Sequence, residues 1–67
     1  MGYAIIWYRG HTVIGVTPWP PNLDTAERFA RDHFPIRVKQ DGATKVDVID
    51  VDNNNAVLVS MQRKEDT

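Results

Sequence analysis

The side chains that most often carry chemistry are few in this chain. It has two histidines, His11 and His33, a single serine, Ser60, and no cysteine. A zinc site gathers three or four ligands, and the histidine pair lacks an H-x-x-x-H or related spacing, so no metal site is expected. A nucleophilic serine needs a base in reach. Ser60 stands in an apolar run with no identifiable His–acid partner. Asp47 and Asp50 are close in sequence, but odd and even positions of an extended segment point to opposite faces. That argues against a paired-carboxylate acid–base site. The run Asp50-Val51-Asp52-Asn53-Asn54-Asn55 starts like a calcium loop, with oxygen ligands at alternate positions. Asn55 stands where such a loop needs its turn glycine, and Met61 where it needs a bidentate glutamate. A polar hairpin turn accounts for the run better. Glycine-rich phosphate loops are absent. No catalytic residue, metal ligand or cofactor is assigned, and a non-enzymatic role is expected.

Two further features could bind a partner. Arg28, Arg31, Arg37 and Lys39 could cluster on a helix and the loop after it, with Tyr8 and Trp19 able to stack on bases. They define the alternative reading, a small nucleic-acid-binding module. Against it, Lys+Arg is 8 and Asp+Glu is 9, a formal charge of −1, whereas such binders carry a basic excess. Pro18-Trp19-Pro20-Pro21 could fit a proline-binding groove. A rigid connector is the simpler reading, because it joins two folded segments.

These residues must be held by a small set of elements. Tyr3 to Tyr8 and Thr12 to Thr17 are β-branched and aromatic and read as two strands. They join through Arg9-Gly10-His11 into a hairpin, and Gly15 marks a bulge or a close backbone approach. A helix is expected from Thr25 to Phe34, capped by Asp24 with Glu27 three residues on, and ended by Pro35. Leu23, Ala26, Phe29, Ala30 and His33 form its buried stripe. Ile36 and Val38 alternate with Arg37 and Lys39, which predicts a short extended segment before the turn at Asp41-Gly42. Thr44 to Asp52 and Ala56 to Gln62 read as the third and fourth strands, joined at Asn53-Asn54-Asn55. A single domain over residues 1–62 follows, with a frayed polar tail over 63–67. The fold class is α+β, ββαββ: a four-stranded, mainly antiparallel sheet with one helix packed on one face.

Cross-strand partners share a face, so the hairpins can be sorted. Tyr3, Ile5, Trp7, Ile14 and Val16 form the more apolar side of the first, and Val46, Val48, Val57, Val59 and Met61 that of the second. These sides are expected under the helix. The other face still carries Ile6, Tyr8, Val13, Ile49, Val51 and Leu58, where a half-solvated sheet would alternate with polar residues. Those six are the expected interface, since contiguous exposed apolar surface marks interaction sites.

Size points the same way. At 67 residues the chain is one small domain, 42% hydrophobic and 25% charged. Small cores carry little surplus stability and usually need disulfides, a metal or oligomerisation. With the first two set aside, unusually efficient packing or self-association remains, the latter through the uncovered sheet face or a sheet edge. The expected partner is a second copy, a homodimer, with another protein as the other possibility. No apolar run approaches a membrane span of about 18 residues. Met1 to Ile6 lacks the basic region and cleavage pattern of a signal peptide, so the cytoplasm is the expected compartment.

The order of elements, with Asp24-Thr25-Ala26-Glu27, Gly42-Ala43 and the Val46 to Asp50 run, is similar to small bacterial ββαββ domains. That likeness implies no activity. The first half resembles the N-terminal part of HicB-type antitoxins, a hairpin followed by a Thr-x-Glu helix start. Its loop before the helix is shorter, which leaves the antitoxin role without residues to carry it.

Overall fold

The computed structural model describes residues 2–19 and 22–63. Strand β1 (Tyr3–Arg9) and strand β2 (Thr12–Trp19) form the first hairpin. Helix α1 (Leu23–Asp41) follows, then β3 (Lys45–Asp50) and β4 (Ala56–Gln62). The four strands make one antiparallel sheet in the order β2-β1-β3-β4, with β1 and β3 central. The fold is therefore α+β with the element order ββαββ, as the alternation of apolar residues implies. Pro20, Pro21 and most of the polar tail lie outside the described residues.

α1 packs across β1 and β3. Ile5, Trp7, Val46 and Val48 project from those strands and are fully buried against Ala26 and Ala30 of the helix. The two alanines explain the close approach: a small side chain lets a helix settle onto a sheet studded with an indole and branched aliphatics. Tyr3, Ile14, Leu23, Phe29, Phe34, Val59 and Met61 pack around this centre, partly buried. Trp7 satisfies its indole N–H by donating to Thr17 Oγ1 at 3.2 Å.

The helix is longer than its sequence predicts, at both ends. Its N-cap is Asn22, whose side chain accepts the Thr25 N–H at 2.8 Å, so the cap lies two residues before Asp24. Asp24 sits in the first turn, where its charge suits the helix dipole. Pro35 lies inside the helix and does not end it, and the extended segment expected around Ile36 and Val38 is helical. A proline removes one backbone bond and crowds the preceding turn. The last turn is held by other means. Arg37 pairs with Asp41 at 2.8 Å and stands 5.2 Å over the Trp7 ring. Gly42 then adopts the left-handed region at φ 71°, and the Gly42 and Ala43 N–H groups both return to the Arg37 carbonyl, the latter at 3.2 Å, a left-handed glycine stop. The true terminator is this glycine, seven residues beyond the proline.

Both hairpins carry a one-residue bulge that changes the expected faces. On β2, Trp7 pairs with Gly15 and Tyr8 with Val13, leaving Ile14 extra. Val16 consequently pairs with Ile6 on the open face, and Gly15 takes the helix side; the sequence pattern places them the other way round. On β4, Val48 pairs with Val59 and Ile49 with Val57, leaving Leu58 extra. Val57 therefore shares the open face with Ile49, and Ala56 pairs with Asp50 on the helix side, again the reverse of expectation. The β3–β4 turn spans residues 51–55, with Asn54 and Asn55 at positive φ. Val51 and Asp52 belong to this turn and not to the strand.

Candidate interaction surface

The sheet face away from α1 is built from alternate residues of all four strands. β1 supplies Ala4, Ile6 and Tyr8, and β2 supplies Val13, Val16 and Pro18. β3 supplies Lys45, Asp47 and Ile49, and β4 supplies Val57, Ser60 and Gln62. It combines a polar cluster about Asp47, reaching from β3 to the β4 edge, with apolar side chains on all four strands. Asp47 is only 4% exposed although no helix covers it. Ser60 Oγ donates to Asp47 Oδ1 at 2.7 Å, and Lys45 Nζ lies 3.6 Å from Asp47 Oδ2. The same ammonium stands 4.5 Å over the Tyr8 ring. A buried carboxylate is tolerated when both oxygens find partners, and here both do. On the two edge strands Val13, Val16, Val57 and Leu58 are 51%, 56%, 56% and 42% exposed.

Of the six residues expected at the interface, Ile6, Tyr8 and Val13 lie on this face. Leu58 is exposed at the β4 bulge. Ile49 lies on the face but is 6% exposed, so it forms floor rather than contact surface. Val51 is exposed in the turn, off the strand. Val16 and Val57, the most exposed apolar residues of the face, were assigned by sequence to the helix side. The only signal that could have moved Val16 is Gly15, a residue type common at bulges.

The four basic residues are not brought into one patch. Arg28 and Arg31 border a shallow hollow with Asp24 and Glu27, and Arg31 pairs with Glu27 at 2.7 Å. Arg37 is turned to Trp7 and Asp41, while Lys39 is exposed in the last turn. Acids four residues away or less offset most of this charge, which leaves little field to attract phosphates.

The histidines are also apart. His11 is exposed in the β1–β2 turn. His33 stacks on Phe29, ring centroids 3.9 Å apart, with Nδ1 3.0 Å from the Phe29 carbonyl. It lies on the helix, across the sheet from Ser60 and Asp47, so these three do not form a nucleophile–base–acid set. Among the described residues no group of three His, Cys, Asp or Glu side chains is placed to hold a metal ion. Nor, among them, is any helix long and apolar enough to cross a membrane.

In comparisons with protein-family models, curated proteins and solved structures, nothing matches this chain. The likenesses to small bacterial ββαββ domains and to HicB-type antitoxins therefore gain no support.

Proposed function

We propose that this chain is a non-enzymatic protein-interaction domain that self-associates through the apolar sheet face its helix leaves uncovered or through the edge of that sheet. One observation carries the reading. Val13, Val16, Val57 and Leu58 stay about half exposed in a chain that has few apolar residues to spare for its core. Apolar area removed from water is worth roughly 25 cal/mol per Å², so leaving four such side chains wet forgoes stabilisation that a partner can recover. The Lys45–Asp47–Ser60 cluster between β3 and the β4 edge favours a specific docking orientation over a merely sticky surface, since it must keep its internal partners when covered.

Absolute mass by light scattering across a concentration series tests this. A dimer is expected at the higher concentrations. A monomer at every concentration would remove the reading.

A further inference from the structure

We propose that β4 is a pairing edge, adding antiparallel to β4 of a second copy so that the two four-stranded sheets become one. The proposal rests on the self-association reading and names its mode.

In an antiparallel ladder a residue's N–H and C=O point to the same neighbour, and successive residues alternate. The Val51 N–H donates to the Gly2 carbonyl at 3.1 Å. That bond sets the phase of the β1–β3 ladder: Ala4, Ile6 and Tyr8 bond toward β3, and Lys45, Asp47 and Ile49 toward β1. Tyr3, Ile5 and Trp7 must then bond toward β2, whose Thr17 and Gly15 oppose Ile5 and Trp7. The residues of β2 that point outward are Val16 and Pro18. On the other side Val46 and Val48 bond toward β4. The Arg63 N–H donating to the Thr44 carbonyl at 2.8 Å gives the same phase independently. Met61 and Val59 therefore face β3, and Ser60 and Gln62 point outward.

The outward positions differ in kind. Pro18 has no N–H, so the β2 edge offers an interrupted ladder, a recognised protection against edge pairing. β4 reads Ala-Val-Leu-Val-Ser-Met-Gln, without proline, glycine or charge. Its outward donors and acceptors at Ser60 and Gln62 are intact. On the helix side of β4, Val59 and Met61 are only partly buried, because α1 lies over β1 and β3. A second β4 would bring its own Val59 and Met61 alongside them and extend the core across the seam.

A second copy fits this edge by symmetry and charge. With Met61 opposite Met61, Ser60 of each copy exchanges main-chain bonds with Gln62 of the other. Arg63 falls opposite Val59, so among the described residues no like charges are set against each other, which would otherwise disfavour the pair. The contact is isologous and closes as a dimer.

Hydrogen exchange of the wild-type chain, followed residue by residue by NMR at two concentrations, tests the proposal. At a concentration where light scattering gives a dimer, the Ser60 and Gln62 amides should exchange more than about tenfold slower than in the dilute chain. Val16, the outward amide of β2, should be unchanged. Ser60→Pro, at a position whose N–H points away from β3 and has no partner among the described residues, should stay folded by circular dichroism and remain monomeric. If that variant unfolds, the exchange result decides alone. A dimer in which Ser60 and Gln62 exchange as fast as in the dilute chain overturns edge pairing and leaves the self-association reading standing. A monomer at all concentrations overturns both.

Discussion

β2 and β4 are both edge strands, both bulged, and both tied to the sheet by one side-chain hydrogen bond, yet they present different surfaces. On β2 the extra residue is Ile14, which packs against the core beneath the helix. On β4 the extra residue is Leu58, which remains 42% exposed. Thr17 of β2 accepts from the buried Trp7 indole on the helix side. Ser60 of β4 donates to Asp47 on the open side. β2 ends in Pro18 at an outward position, and β4 carries no such interruption. The difference teaches that a bulge has no fixed consequence. It re-aims one residue, and whether that residue gains or loses burial depends on what lies above it.

The largest effect should come from erasing the asymmetry. Pro18→Val restores an N–H to the outward side of β2. Two competent edges on one chain make isologous contacts that propagate instead of closing, so open-ended assemblies should form. Light scattering should show mass climbing far beyond that of a dimer with concentration. The stability of the dilute chain should change by no more than about 0.5 kcal/mol, as is usual for an exposed site. A mass equal to that of the wild type would mean that proline does not set β2 apart, and the comparison would lose its main cause.

The bulges give the next test, in stability rather than assembly. Ile14→Ala removes a side chain packed against Trp7 and its neighbours and should cost about 2 kcal/mol, the low end for aliphatic truncation because Ile14 is only partly buried. Leu58→Ala, measured by urea denaturation of the dilute chain, should lie within about 0.5 kcal/mol of wild type. Equal costs would show that the two bulges bury their extra residues alike.

These same two residues mark where the amino-acid sequence stops being legible. Alternation at Tyr3, Ile5 and Trp7, and at Val46 and Val48, identifies β1 and β3 as strands and the side they bury, because nothing interrupts their period of two, while the order of the strands in the sheet stays open. The helical stripe of Ala26, Phe29 and Ala30 is equally plain. The edge strands defeat the same logic. One inserted residue exchanges the faces of every position beyond it. Val16 and Val57 thus move to the open face and become the most exposed apolar residues of the candidate surface, although their neighbours read as core. Pro35 misleads for another reason. Its local cost is real, but Arg37, stacked over Trp7 and paired with Asp41, and the Gly42 cap hold the following turn, and those are tertiary and terminal effects that a local rule does not weigh. Asp47 and Ser60 were legible as residues and not as a pair, since their meeting depends on the register of β3 against β4.

The smallest effects should come from the two side-chain ties, and they should still rank. Thr17→Val keeps the shape of β2 but leaves the indole N–H of a fully buried Trp7 without its acceptor. An unsatisfied buried donor costs about 1–2 kcal/mol. Ser60→Ala removes a donor to Asp47, which on the same rule is a charged acceptor and should cost more. Exposure reverses the order. Ser60 lies on an uncovered edge strand, so its removal opens Asp47 Oδ1 to solvent, and Lys45 still stands beside Oδ2. Water replaces the hydroxyl at little loss, and the expected cost is about 0.5 kcal/mol. Urea titration of the two variants in the dilute chain measures the difference. Once the open face or the β4 edge is covered by a second copy, that water is excluded, and Ser60→Ala should weaken the assembly more than it destabilises the single chain.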